Sequence, residues 1–367
     1  MTTESTDHRP TGDQPTGDQP SGDQPVDGVD RVRLLEFLST QLPGLTEPIT
    51  ATLLTGGRSN LSYAVTTGDH NWVLRRPPPG QLLATAHDMH REYRVITALA
   101  GSAVPVPGAV LFCQDEAVIG APFYLMQRMP GVAIRDLNKL ESMGPETVNG
   151  LIFRLVDILA QLHAVDPNSV GLNDFGRPAG YNERQLRRWS RQLAASMTGD
   201  IPGLAELIDA LGVAVPPTTG AAIVHGDYRL DNVLIDRPEP DRPPVVTAVL
   251  DWEMSTLGDP LGDLALMLLY ARRALPDADG RVPRSAVSVA GHPTEEQLIQ
   301  RYVAGSGRDV SGLSWFQAFA CFKLAAILQG VHFRYLRGSY GRQSGFAGIG
   351  DAVAPLVADG RNILKGS

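Results

Sequence analysis

At 367 residues, with 43% hydrophobic and 20% charged side chains, the chain has enough material for two lobes with their own cores and an ordinary globular composition, which excludes a fibre. A net charge of −8 speaks against a general nucleic-acid binder, whose phosphate affinity needs clustered positive charge, while leaving room for a local basic pocket. Apolar runs such as residues 264–270 fall far short of the roughly 20 residues of a spanning helix, and the polar N-terminus is unlike a signal segment, so no membrane and a cytoplasmic location are expected.

Residues 11–25 repeat Thr-Gly-Asp-Gln-Pro twice and then Ser-Gly-Asp-Gln-Pro, almost without apolar side chains. Such a tail cannot repay its ordering entropy, and residues 1–28 are expected to be disordered. An amphipathic helix is predicted over 32–42, followed by short β-like runs at 51–55, 61–65 and 72–75, with Thr67-Gly68-Asp69 as a turn. A helical pattern over 86–99 interrupts the strands, and 109–112 and 123–126 supply two more. Residues 29–130 therefore read as a small antiparallel five-stranded lobe with one helix.

After Pro130-Gly131 the pattern turns helical, and residues 131–367 read as a second lobe. Pro145 can open a helix whose apolar face runs through Val148, Leu151, Ile152, Leu155, Leu159 and Leu162. Short strands at 223–224, 233–235 and 245–250 punctuate later helical patterns at 261–272, 295–303 and 313–336. The fold class expected is α+β and bilobal.

The polar motifs lie among those short strands. His225 to Asn232 fits His-x-Asp-x-x-x-x-Asn, and Asp251-Trp252-Glu253 follows at the end of an apolar strand. Phosphoryl transfer needs a carboxylate to orient and deprotonate the attacking hydroxyl, and oxygen ligands to hold magnesium against nucleotide phosphates. Asp227 suits the first task, Asn232 and Asp251 the second. An isolated His-x-Asp could equally cap a local turn; the offset of Asn232 and the strand before Asp251 favour chemistry. Cys113 and Cys321 stand far apart without CxxC or His-rich company, so neither a disulfide framework nor a zinc site is indicated.

These segments, with Leu257-Gly258-Asp259-Pro260-Leu261-Gly262-Asp263-Leu264-Ala265, resemble the aminoglycoside phosphotransferase-like, choline kinase-related family over roughly residues 48–340. Arg75-Arg76-Pro77-Pro78, Arg91-Glu92-Tyr93-Arg94, Gly176 to Tyr181 and Arg184 to Trp189 look closest to the branch related to kinase-like domains fused to acyl-CoA dehydrogenases. The resemblance implies a protein-kinase-like fold, with ATP and Mg2+ as cofactors and a small-molecule alcohol as acceptor. It also implies Asp227 as base, Asn232 and Asp251 as magnesium ligands, and His225 with Asp263 as structural support of the catalytic loop. Asp259 is expected to be a turn or cap residue only.

Thr55-Gly56-Gly57-Arg58-Ser59-Asn60 lies between two predicted strands, where small residues let backbone amides approach phosphates, so Gly56, Gly57, Ser59 and Asn60 are candidate ATP-binding residues. Paired glycines alone would be a hairpin turn. Kinase-like folds carry a lysine on the third strand, paired with a glutamate from the next helix; here Arg75 occupies that place, Glu92 is the expected partner, and an exposed Arg75-Arg76 pair is the plainer alternative. Only Lys139, Lys323 and Lys365 are lysines among 32 basic residues, so this exchange can reflect composition. Gln127 and Met129, in the stretch before Pro130-Gly131, match the adenine-binding hinge by position.

Arg184, Arg187, Arg188 and Arg191 recur at helical spacing, as a solvated helix face or as a wall for an anionic acceptor, to which Arg301, Arg334 and Arg337 could contribute. Cationic antibiotics would need an acidic acceptor site, so an anionic acceptor is expected, and the resemblance implies a hydroxyacyl-CoA. A kinase of another alcohol, such as a sugar, choline-like compound, macrolide or aminoglycoside, and a non-catalytic nucleotide-binding module are the competing readings.

Overall fold

A computed structural model describes residues 28–54, 60–78, 88–218, 220–236, 243–273, 285–338 and 348–366. The repeat tail up to residue 27, and Gly56, Gly57 and Ser59, lie outside the described residues.

Helix α1 (Arg31–Gln41) is capped by Asp30, whose carboxylate accepts from Val32 N and Arg33 N, and it buries Leu34 and Leu38 one turn apart. Strands β1 (Thr50–Leu53), β2 (Leu61–Thr67), β3 (His70–Arg76), β4 (Ala109–Cys113) and β5 (Phe123–Gln127) form one antiparallel sheet in the order β1-β2-β3-β5-β4. Helix α2 (Met89–Leu99) follows β3, so the expected order of three strands, helix and two strands holds.

Alternation along β3 decides what each side chain meets. Trp72 and Leu74 join Tyr63, Val65, Phe123 and Leu125 in a core closed by Leu34 and Leu38 of α1. Val73 points the other way, into the cluster that contains Val95, Ile96 and Leu99 of α2 and the apolar centre of the helical lobe. The period of two therefore turns Arg75 towards α2 and the cleft and Arg76 away from it. Arg76 is 4% exposed and donates to the carbonyls of Gly28, Pro77 and Ile119, so the pair is not an exposed surface feature. The core at the lobe junction is shared: β3, β5 and α2 contribute to the same cluster as the helices beyond residue 131.

The second lobe comprises α3 (Leu137–Glu141), α4 (Pro145–Ala164), α5 (Tyr181–Ala194), α6 (Leu204–Val213), α7 (Leu261–Arg272), α8 (Glu295–Ser306), α9 (Leu313–Leu336) and α10 (Val353–Lys365). Pro145 stands in the first turn of α4, as expected. Two small antiparallel pairs frame the polar motifs: β6 (Ala222–Val224) with β9 (Thr256–Gly258), and β7 (Val233–Asp236) with β8 (Val245–Val249). Strand β9 was outside the expectation, since three residues are too few for a periodic pattern; α3, α6 and α10 were not expected either.

Helices α7 and α9 are buried on nearly all sides and pack against each other, while α4 packs against β6 and β8. By length and composition α9 could cross a membrane, but 67% of its apolar window is covered inside this lobe, as in a core helix.

Candidate active site

Strand β6 delivers His225, Gly226 and Asp227 to the cleft. Gly226 has φ +85, and a Cβ there would lie 2.7 Å from the Met254 carbonyl oxygen, so the turn admits glycine alone. Asp263, in the first turn of α7, holds this turn from below: its Oδ2 accepts from His225 N at 2.6 Å and its Oδ1 from Gly226 N at 2.8 Å. His225 Nδ1 accepts from Asp227 N at 3.2 Å, which leaves the proton on Nε2 for the Leu250 carbonyl at 2.8 Å. Thus one neutral imidazole joins the Asp227 turn to the strand end that presents Asp251.

A residue not singled out in the sequence completes this support. His163 of α4 lies between the Tyr302 hydroxyl, 2.8 Å from Nδ1, and Asp263 Oδ2, 3.4 Å from Nε2. Burial lowers the His163 pKa, against the pull of Asp263. Burial pushes the Asp263 carboxyl up, yet its bond to His163 and the bonds it accepts from the His225 and Gly226 amides outweigh this and hold it below the usual range.

Asp227 is half-buried, and Asn232 Nδ2 donates to both its backbone oxygen, at 2.9 Å, and its Oδ2, at 3.0 Å. With the nitrogen so engaged, Asn232 Oδ1 remains as an acceptor. Arg229 pairs with Asp231 and stacks 4.4 Å from the Tyr270 ring centroid, and burial, with the nearby Asp227, pushes the Tyr270 hydroxyl pKa up. Sequence reasoning passed over Arg229 although it stands two residues from Asp227.

Asp251 is the one non-glycine residue with positive φ among the described residues, at 66°. Its Oδ1 receives Arg75 Nη2 at 3.0 Å from the other lobe, while Arg75 Nε lies 3.1 Å from Glu92 Oε2. The latter contact is ionic more than directional, because Nε–H is not aligned on the oxygen. The strand register pairs Arg75 with Tyr124, whose hydroxyl donates to Glu92 Oε2 at 2.9 Å. Asn60 Nδ2 donates to Glu92 Oε1 at 2.8 Å and to Glu253 Oε2 at 3.1 Å, so this amide nitrogen faces carboxylates.

Burial opposes the charge on Arg75, but Glu92, Asp251 and Glu253 reverse the sign and raise its pKa. Burial raises Glu92, with Arg75 pulling the other way. Helix α2 is itself tied across the lobes: Arg91 donates to the carbonyls of Ser255, at 3.0 Å, and Phe175, and lies 3.9 Å over the Phe175 ring.

At the hinge, Gln127 ends β5 and its amide donates to Gly108 O at 2.7 Å, with Met129 half-buried beyond it. On α5, Arg184 is turned back onto the carbonyls of Arg177 and Ala179, whereas Arg187, Arg188 and Arg191 are exposed. Arg301 does not join them: it forms a two-point pair with Asp157 of α4 at 2.6 and 2.9 Å. Arg337 lies 4.6 Å over Phe333.

The donor set suits a hard cation. Asn232 offers an amide oxygen and Asp251 a second carboxylate oxygen, and magnesium is commonly held by one or two such groups with phosphate and water completing the shell. Among the described residues no group of three or more His, Cys, Asp or Glu side chains is arranged to hold a metal ion by itself.

Residues 50–302 match the family described as "Phosphotransferase enzyme family". The acyl-CoA dehydrogenase family member 10 of Mus musculus is 38% identical over 285 residues, 77% of this chain and 26% of the relative, so the chain spans about a quarter of that protein. A crystal structure from Ralstonia eutropha, provisionally described as an aminoglycoside phosphotransferase, is 31% identical with a TM-score of 0.78, covering 92% of this chain and 98% of the other. A thermostable mutant of aminoglycoside phosphotransferase APH(4)-Ia in ternary complex with AMP-PNP and hygromycin B shares the fold at 15% identity and TM-score 0.57, covering 90% and 97%.

Proposed function

Because the chain belongs to the phosphotransferase enzyme family, we propose that it transfers the γ-phosphate of ATP to a hydroxyl of a small anionic molecule, with Asp227 as the base. The observation that carries this reading is the convergence of Asp227 and Asn232 from one lobe with Arg75, 3.0 Å from Asp251, from the other. A binding-only module would not need a carboxylate held at that turn by Asp263, His225 and Asn232 together.

In this reading the acceptor hydroxyl donates to Asp227, and Asn232 keeps the carboxylate turned towards it. As the oxygen attacks the γ-phosphorus, the bond to the oxygen bridging the β- and γ-phosphates breaks and ADP leaves, while Asp227 receives the proton, a contribution of about 10²–10⁴ in rate for a well-placed base. Arg75, braced by Glu92, supplies fixed positive charge on the phosphate side, and Arg229 stands beside the base. Magnesium held by Asn232 and Asp251 would neutralise phosphate charge. Backbone groups near Gln127 and Met129 would meet the adenine edge.

For the acceptor, the exposed Arg187 and Arg188 on α5 and the likeness to an acyl-CoA dehydrogenase family member support a hydroxyacyl-CoA. The test is ADP release from Mg·ATP with a panel of hydroxyacyl-CoA thioesters, neutral alcohols and aminoglycosides. Release with a hydroxyacyl-CoA, lost in Asp227→Asn while nucleotide still binds, is expected. Wild-type release in Asp227→Asn overturns the mechanism, and release with aminoglycosides alone overturns the acceptor class.

A further inference from the structure

We propose that Lys323 of α9 is a positioning residue for Asp227, acting on the peptide plane that joins Gly226 to Asp227. Its Nζ donates to the Gly226 carbonyl oxygen at 2.8 Å. The N–H of that same peptide belongs to Asp227 and donates to His225 Nδ1 at 3.2 Å. The plane is therefore gripped at both edges, while the preceding peptide is held through Gly226 N by Asp263. Since φ at Gly226 is +85, in a region glycine traverses freely, the turn has little rigidity of its own, and these outside contacts determine where the Asp227 carboxylate points.

The lysine has no carboxylate in direct contact among the described residues, and one hydrogen bond from Nζ accounts for a group with three donors. It lies 5.6 Å from the Trp189 ring and borders a cavity of about 40 Å³ with Tyr181, Gln185, Phe316 and Phe319. At roughly 10–15 Å³ per water, that space admits a few waters to the remaining N–H groups. Burial and Arg188 work against the ammonium charge, and Asp227 and Asp263 favour it. Asp259 also lines the cavity but is occupied by Leu261 N and Asn182. Replacing Lys323 by a hydrocarbon would fill the space while leaving the Gly226 carbonyl unmatched.

This role rests on the proposed phosphotransfer, and the experiment separates the two. ADP release is measured with the most active acceptor of the panel above, for wild type, Lys323→Met, Lys323→Arg and Lys323→Ala, alongside amide hydrogen exchange of residues 225–232. Lys323→Met is expected to lower kcat at least about tenfold with KM for ATP within about twofold, and to speed exchange in that segment. Lys323→Arg should restore part of kcat, and ethylammonium should restore Lys323→Ala saturably through the enlarged cavity. Unchanged kcat and unchanged exchange in Lys323→Met, or equal restoration of Lys323→Ala by ethanol, overturns the proposal. Should Lys323→Met fail to fold, the arginine variant and amine restoration decide. Absence of ADP release from wild type with every acceptor overturns the phosphotransfer reading instead, and loop exchange still tests the grip of the lysine.

Discussion

Arg75 Nη2 lies 3.0 Å from Asp251 Oδ1 while Arg75 Nε lies 3.1 Å from Glu92 Oε2, so one guanidinium joins the third strand of the first lobe to a proposed magnesium ligand of the second. A lysine ammonium is a single charged point and cannot serve both carboxylates through separate nitrogens in the same way. Arginine here does more than preserve a charge.

Arg75→Met leaves Glu92, 2% exposed at its side chain, without its cation and beside Asp251 and Glu253. Breaking one partner out of a buried pair costs roughly 3–5 kcal/mol. Chemical denaturation should show a loss of that order, and Mg·ATP affinity should fall with it. Arg75→Lys should fall between the two proteins in both measurements; a lysine variant indistinguishable from wild type would show that the two-point contact contributes nothing.

Gly226→Ala would force a side chain to φ +85 and to 2.7 Å from the Met254 carbonyl. A strained backbone position of this kind costs on the order of 1–3 kcal/mol. Displacement of the adjacent Asp227 is expected to lower kcat far more than it raises KM for ATP, checked by steady-state kinetics on the folded variant.

The pH dependence of stability should report His163. Burial holds it below its ordinary 6.5, so below that pH the unfolded chain takes up a proton that the folded protein resists. Its contribution is complete above about pH 6.5 and is lost as pH falls through the lowered folded value. Asp263, held below its ordinary 3.8, adds loss in the same direction at lower pH. His292 is lowered too, chiefly by burial, so the comparison must be between proteins. Melting curves from about pH 7.5 to 5.5 should show a shallower decline for His163→Gln, by at most about 1.4 kcal/mol per pH unit.

Charge reversal at Arg187 and Arg188 tests the acceptor side. Both side chains are exposed on α5, and neither hydrogen-bonds the Asp227 turn. If they meet an anionic acceptor, the double glutamate variant should raise its KM about tenfold or more with ATP kinetics little changed, and the effect should shrink at high salt. An unaltered acceptor KM would return this stripe to a solvated helix face.

The amino-acid sequence by itself determined the order of elements in the first lobe and the spacing of Asp227, Asn232, Asp251 and Asp263, because strand and helix periods and short motifs are local properties of the chain. The pairing of Arg75 with Glu92 was expected through the resemblance to kinase-like folds, and the contact itself belongs to the folded chain. The tertiary structure alone decided which polar groups meet across long separations. It brought His163 and Tyr302 to Asp263, turned the Asn60 amide onto Glu92 and Glu253, placed Lys323 under Gly226, and committed Arg301 to Asp157. No local pattern distinguishes those residues from ordinary members of their helices and strands; buried polar groups find partners wherever packing brings donors and acceptors together. The short strand β9 escaped notice for a related reason: three residues become a strand through pairing with β6, and pairing is a property of the folded chain.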